Sequence, residues 1–203
     1  MKSKICTTPN FVENSSLHQQ ALADGTDHFS SWSFNVEDRF KGKEVSSIKE
    51  ELARTAFPFA VCFENWIHDF NIASGIRNAN AFNTQEVFYV GYKKLDRRGM
   101  CGVHNYTQVT WLPSLDDLLK LKGQYTFVGI DNVEGAVPLD SYHWKPNSMM
   151  IFGSEGVGLS KTMLDHCDDI VYIKQYGSVR SLNAATASGI IMNDFVTKYN
   201  SCT

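Results

Sequence analysis

A glycine-rich segment, IFGSEGVGLSKT at residues 151–162, follows an apolar run and has the composition of a loop that binds nucleotide phosphates. A P-loop needs Gly, four residues, Gly, and then Lys and Ser or Thr at once, because the lysine must reach the terminal phosphates. Gly153 and Gly158 have the first spacing, but two residues separate Gly158 from Lys161. Glu155 would also place a negatively charged carboxylate among the backbone amides that bind the phosphates in a P-loop. The segment therefore argues against a P-loop.

The dinucleotide-binding pattern GxGxxG fails in the same segment. Lys161 takes the place of the third glycine, and the segment lies late in the chain instead of after the first strand. Considered alone, these glycines are equally compatible with a tight turn that needs positive φ angles.

Two other stretches carry polar side chains in positions suited to a shared site. Asn71 and Arg77 lie six residues apart in NIASGIRNANAF, slightly less than two helical turns, so both can face the same end of a sheet. Ser181 and Asn183 lie in SVRSLNAATASG at the start of a predicted helix, where free backbone amides gather. Taken singly, Arg77 fits a solvated helix charge and the other pair an ordinary helix cap. The three stretches together, each after a buried strand, indicate one site.

The segments that carry these residues alternate between apolar runs and helical patterns. Short, nearly continuous apolar runs are typical of strands buried on both faces, and their alternation with helices predicts a parallel α/β sheet covered on both faces. Ligands bind at the carboxyl ends of the strands in such sheets. The predicted strands are residues 58–65, 86–92, 125–132, 148–153 and 169–175, and the predicted helices are residues 70–82, 114–122 (capped by Ser114), 160–167 and 181–199.

Length and composition are those of a globular protein with a single site. The chain has 203 residues, 43% of them hydrophobic, and a net charge of −3, so any polyanion has to meet a local basic patch. Five scattered cysteines without a CxxC pair indicate reduced thiols and no metal site. The start lacks a secretory signal and no run approaches 18 apolar residues, so we expect a cytoplasmic protein without a membrane partner.

Three regions are predicted along the chain. Residues 1–30 are polar and without a helical or strand period, which favours a flexible tail over a binding arm. Residues 31–57 form a helical extension, with Ser46 or Ser47 as the N-cap. Residues 58–203 form the domain that carries the site.

Together, the motifs NIASGIRNANAF, IFGSEGVGLS and IKQYGSVRSLNAATASG resemble those of the SpoU or TrmH class of the SPOUT RNA methyltransferases. The resemblance covers roughly residues 58–199, and the sequence ahead of the first motif looks like a TrmH-like bacterial subgroup. Ala184 departs from the family pattern, which usually has valine after the asparagine of the third motif.

The resemblance implies a fold and an activity. The family has a parallel α/β sheet whose C-terminal part forms a deep trefoil knot, a rare exception to unknotted connections. Its members are typically homodimers that bind S-adenosylmethionine in the knot and methylate a ribose 2'-hydroxyl of tRNA or rRNA without a metal. For this chain tRNA is favoured, since no separate RNA-binding domain precedes the motifs. An rRNA substrate and a catalytically silent RNA-binding protein remain as alternatives.

The resemblance also assigns the site residues. Arg77 either binds a phosphate and positions the ribose or, if deprotonated, acts as a base. Because a guanidinium is almost always charged, the positioning role is favoured. Asn71 and Glu155 would orient Arg77, and Ser181 and Asn183 would shape the methyl pocket. The positions expected to bind the cofactor are Gly153, Gly158, Ile173 and Leu182.

One loop, KKLDRRGMCGVHNY at residues 93–106, is rich in basic residues. Its charges suit RNA phosphates, and Tyr106 is available to stack on a base. A solvated charged loop is the alternative. The predicted RNA-binding residues are Lys93, Lys94, Arg97, Arg98 and His104.

Overall fold

A computed structural model of the chain describes residues 36–64, 66, 68–91, 93–95 and 97–202, and only the backbone of Asp69, Arg98 and Cys202. The predicted tail, residues 1–30, lies outside the described residues. The chain divides into two compact units, residues 1–44 and 45–203. The three-region division drawn from the sequence stays a prediction.

The described part of the first unit is a single short turn. A 3-10 helix spans Asp38–Phe40, and Nε of Arg39 donates to Oε2 of Glu37 at 2.9 Å. Both partners of this ion pair are about half exposed, so the pair contributes little to stability.

The second unit is built on a seven-stranded sheet in which every neighbouring pair is parallel. The strand order is β3-β2-β1-β6-β4-β7-β5. The strands are β1 (Phe57–Glu64), β2 (Thr84–Val90), β3 (Val109–Leu112), β4 (Thr126–Ile130), β5 (Val137–Pro138), β6 (Ser148–Phe152) and β7 (Asp169–Tyr172).

One row of paired residues fixes where the strands end. Phe63 of β1 pairs with Phe152 of β6, which pairs with Ile130 of β4, and Ile130 pairs with Val171 of β7. The loops that follow these four strands therefore emerge side by side at one edge of the sheet.

Five α-helices of the described residues flank or connect the strands. The helix α5 packs against α2, where Nδ2 of Asn78 donates to the carbonyl of Ala185 at 2.8 Å and to the hydroxyl of Ser188 at 3.0 Å. The helices are α1 (Val45–Arg54), α2 (Asp69–Ala81), α3 (Leu115–Leu119), α4 (Lys161–His166) and α5 (Ala184–Cys202).

Most elements expected from the sequence are confirmed. Ser114 caps α3, its hydroxyl accepting from the amide of Asp117. The N-cap expected at Ser46 or Ser47 is wrong, since α1 begins at Val45 and includes both serines. The strands β3 and β5 were not expected, because β3 is only half-buried along its length and β5 has two residues.

Alternate residues of β1 supply the cores on the two faces of the sheet. Phe59, Val61 and Phe63 belong to the core that α2 and α5 cover, whereas Ala60 and Cys62 belong to the core under α3 and α4. This period of two follows from the strand, whose successive side chains point to opposite faces. A fully buried side chain the size of Phe59 contributes roughly 1.5–3 kcal/mol through its burial alone.

Candidate active site

A cleft of about 660 Å³ lies beyond the carboxyl ends of β4, β6 and β7. Its walls come from the loops after these strands and from the segment that leads into α2. The position and size are those of a small-molecule site in a parallel α/β sheet. Apolar groups line much of it: Trp66, Ile130, Phe152, Ile173 and Leu182.

The glycine-rich segment forms a tight turn at one wall of this cleft. Ser154 and Gly158 exchange two backbone hydrogen bonds, each 3.0 Å long. Gly156 and Gly158 have φ angles of +94° and +76°, which L-residues rarely adopt. A Cβ on Gly153 would lie 2.1 Å from the backbone carbon of Gly158, so the close approach of the two backbone strands also requires glycine.

Two side chains that the sequence did not single out as site residues hold this turn in place. Nε1 of Trp66 donates to the carbonyl of Gly153 at 2.8 Å. The Asp131 carboxylate, at the end of β4, accepts from the amide of Leu159 at 2.8 Å and lies where a Cβ on Gly158 would be. The turn is therefore tied to neighbouring loops at both of its ends.

Three of the predicted catalytic side chains form one hydrogen-bonded chain. Nδ2 of Asn71 donates to Oε1 of Glu155 at 3.0 Å, and Nδ2 of Asn183 donates to Oδ1 of Asn71 at 2.9 Å. Oδ1 of Asn183 accepts from the amide of Thr186, so Asn183 also caps α5. The network joins the glycine turn to the first turns of α2 and α5.

The segment between β7 and α5 closes the other side of the cleft. Ser181 and Leu182 are exposed to the cleft, and Ile173 is half-buried in its wall. Nε2 of Gln175 donates to the carbonyl of Arg180 at 3.2 Å, whereas Oε1 of Gln175 is buried without a hydrogen-bond partner in the described structure. The segment therefore contains one buried acceptor without a partner among the described residues.

Arg77 lies apart from the network. Its side chain is exposed on α2, does not line the cleft, and forms no hydrogen bond or ion pair with the described residues. It lies seven residues after Phe70, hence on the same face of the helix, and Phe70 is 73% exposed.

Residues 58–193, which hold all of these groups, match the model of the SpoU rRNA methylase family. The chain belongs to the SpoU family. Among curated SpoU-like relatives, the chain is 30% identical to the 23S rRNA (guanosine-2'-O-)-methyltransferase RlmB of Shewanella oneidensis over 159 residues, 73% of this chain and 63% of the relative.

Solved structures resemble the SpoU chain in fold. The SpoU methyltransferase AviRb from Streptomyces viridochromogenes in complex with AdoMet superposes with a TM-score of 0.65 and 25% identity, over 71% of this chain and 59% of that one. A TrmH/SpoU tRNA modifying enzyme from A. aeolicus gives a TM-score of 0.70 and 19% identity, over 78% and 83%. The chain spans between 7% and 67% of the length of the first curated relatives that it matches.

Four of the five predicted RNA-binding residues of the SpoU chain lie away from the cleft beyond β4, β6 and β7. Lys93, Lys94, Arg97 and His104 line a second cleft, which shares no lining residue with the first. The side chain of Arg98 lies outside the described part. The structure thus places the basic segment and the three-residue network in separate clefts.

A buried carboxylate at the end of β1 binds the end of the glycine-rich segment. Glu64 is 1% exposed, and its Oε2 accepts from the amide of Ser160, the N-cap of α4. Sequence reasoning missed this residue, although a glutamate that ends an apolar strand was a visible signal. Glu64 is therefore part of the support under the glycine segment.

Within the described ranges, no group of three His, Cys, Asp or Glu side chains is arranged to hold a metal ion. No helix in the same ranges is both long enough and apolar enough to cross a membrane.

Proposed function

We propose that the protein transfers a methyl group from S-adenosylmethionine to a ribose 2'-hydroxyl of RNA. The observation that carries the proposal is the cleft beyond β4, β6 and β7, closed by the hydrogen-bonded chain Glu155–Asn71–Asn183. Membership of the SpoU family and the likeness to AviRb, which is bound to AdoMet, support it.

The cleft fits S-adenosylmethionine in size and in chemistry. Its volume of about 660 Å³ falls in the usual range for small-molecule sites, and Ile173 and Leu182 offer an apolar wall. Gly153 and Gly158 carry no side chains, so a ligand can approach the main chain of this wall closely. When bound, the cofactor supplies a methyl group on a sulfonium, which needs no metal for activation.

Arg77 would position the ribose and not remove its proton. A charged guanidinium can hold the adjacent phosphate with two hydrogen bonds, which fixes the hydroxyl relative to the methyl carbon. Asn71 and Glu155 bond to one another, and we propose that they orient Arg77 once RNA is bound. Ser181 and Asn183 would shape the methyl pocket from the segment that leads into α5.

The basic segment would hold the RNA. Lys93, Lys94, Arg97, Arg98 and His104 lie within a dozen residues of a chain whose net charge is −3, which supports a local patch for a polyanion. We favour tRNA among substrates, as expected from the sequence. An rRNA substrate is the second candidate, supported by the 30% identity to RlmB.

We also propose a homodimer, a C-terminal trefoil knot and a cytoplasmic location. The dimer is supported by a set of exposed apolar side chains near the cleft and on α2 and α5. The knot is supported by the path of residues 173–183. These residues lead from β7 to α5, and α5 packs against α2, which follows β1 two strands away from β7's neighbour β4 in the sheet. The scattered cysteines support the location. The exposed apolar side chains of this set are Phe70, Val157, Tyr176, Val179, Leu182, Ile190 and Tyr199.

Labelled S-adenosylmethionine tests the activity directly. The protein is incubated with tRNA and rRNA from a strain that lacks the gene, and the labelled nucleotides are mapped. We expect label on a ribose 2'-oxygen, and the mapped position decides between tRNA and rRNA. Cofactor binding without transfer to either RNA would instead support the catalytically silent alternative.

An Arg77→Ala variant tests the role of the arginine. We expect it to bind the cofactor normally, because Arg77 does not line the cleft, and to lose methyl transfer. Arg54→Ala, which removes an exposed arginine from α1, is the matched control and should remain active. Normal turnover by the Arg77 variant would refute the proposed role.

A further inference from the structure

A cleft of about 1050 Å³ lies between α1 and the segment of residues 93–109. It runs along the sheet edge where β2 and β3 lie, and it is larger than the cofactor cleft. This cleft is separate from the methyl-transfer site, because no residue lines both clefts.

The charges in this second cleft are nearly all positive. Lys49 of α1 faces it together with Lys93, Lys94 and Arg97, and Glu50 is the only carboxylate among its described lining residues. No carboxylate of the described residues forms an ion pair with any of the four cations. Among the described residues the cleft therefore holds four cations and one carboxylate, a local positive charge in a chain whose net charge is −3.

The remaining polar groups suit an unpaired base better than a phosphate alone. Tyr106 is half-buried in the wall and offers a ring for stacking. Burial, and then the charge of Arg97, lower the pKa of His104, which favours the neutral imidazole near pH 7. Nδ1 of His104 is buried without a hydrogen-bond partner in the described structure, and the residue itself is half-buried in the wall of the cleft.

We propose that this cleft binds an unpaired nucleotide of the substrate RNA. Its base lies against Tyr106, and its phosphates lie against Lys49, Lys93, Lys94 and Arg97. The inference rests on the proposed function, and it adds a contact from α1 and a preference for unpaired RNA. Recognition of the substrate then occurs at a place separate from methyl transfer.

Lys49→Ala tests the electrostatic part, with Lys120→Ala as the control. Lys120 is an exposed lysine just after α3, which covers the other face of the sheet. The probe is a short, labelled single-stranded RNA, measured by anisotropy over a range of salt. We expect Lys49→Ala to weaken binding roughly fivefold at about 0.1 M salt and to reduce the salt slope by ~0.7, the contribution of one phosphate contact.

Tyr106→Ala tests the stacking part. We expect it to weaken binding of the single strand roughly fivefold to hundredfold, with little effect on a duplex of the same sequence. Tyr106→Phe keeps the ring and should restore the affinity, which separates stacking from a loss of folding. Equal weakening of single strand and duplex would overturn the preference for an unpaired base.

The outcomes distinguish this inference from the proposed function. If wild-type protein methylates RNA and Lys49→Ala binds the single strand as Lys120→Ala does, the cleft is not an RNA site and the methyl-transfer proposal stands. If the wild-type protein neither binds nor methylates RNA, both proposals fail.

Discussion

The side-chain amide of Asn71 lies 3.0 Å from Oε1 of Glu155, although 84 residues separate them in the sequence. Asn71 also accepts from Asn183, 112 residues further along the chain. One asparagine therefore ties the glycine turn to the start of α5, and the two walls of the cofactor cleft are held together through it.

Replacing Asn71 with alanine should loosen the cofactor cleft. The change removes two partly exposed hydrogen bonds, which together contribute about 2 kcal/mol, so we expect affinity for S-adenosylmethionine to fall by up to roughly thirtyfold. Calorimetry measures the affinity, and amide exchange over residues 153–159 should become faster. Asn200→Ala, an exposed asparagine late in α5, is the control. Unchanged affinity and exchange would show that the network does not support the cleft.

Alanine scanning of the glycine turn should separate two kinds of glycine. Gly153→Ala forces a Cβ to 2.1 Å from backbone atoms, and we expect the free energy of unfolding to drop by roughly 3 kcal/mol or more. Gly156→Ala meets nothing within 4 Å and suffers only the strain of its φ of +94°, about 1 kcal/mol. Urea unfolding without cofactor makes the comparison. Equal losses would mean that close packing is not what Gly153 provides.

Asp131 should affect stability and cofactor binding by holding the glycine turn in place. Asp131→Ala removes the acceptor of the Leu159 amide, so we expect a loss of about 1–2 kcal/mol in stability and weaker cofactor binding. Asp140→Ala, an exposed carboxylate paired with Lys174, should change stability far less. If the two variants unfold alike, the carboxylate of Asp131 is not a significant anchor.

The protein should lose stability at alkaline pH. Burial raises the pKa of Cys167 to about 12 and also raises the pKa of Cys62, whereas an unfolded thiol titrates near pH 8.5. Above that pH the unfolded chain releases protons that the folded chain keeps, so the free energy of unfolding falls as pH rises from about 8.5 towards 12. Urea unfolding at several pH values measures the decline. Cys167→Ala should make it shallower, and an unchanged slope would contradict the assignment.

The exposed ring of Phe70 should be needed for dimer formation. Phe70→Glu places a charge on a surface that a second copy would have to desolvate, so we expect monomers at micromolar concentration. Val137→Glu alters another exposed apolar residue, in the edge strand β5, and should leave the dimer intact. Light scattering distinguishes the two states. A wild-type monomer, or a dimeric Phe70 variant, would count against the proposed interface.

Local chemistry determined much of the fold. Continuous apolar runs predicted five strands within a few residues, because a strand buried on both faces tolerates few polar side chains. The cap at Ser114 followed from its hydroxyl and the free amides of the next turn. The edge strands β3 and β5 were missed, because their half-buried residues have no such run.

The arrangement of the site was decided by tertiary structure. The sequence identified Asn71, Glu155 and Asn183 through motif resemblance, but the hydrogen bonds among them depend on strands that are distant in sequence and adjacent in the order β1-β6-β4-β7. The same order brings Trp66 and Asp131 onto the glycine turn and leaves Arg77 outside the cleft. Residue types and local periods are properties of short segments, whereas contacts between distant side chains exist only once the sheet sets their distance.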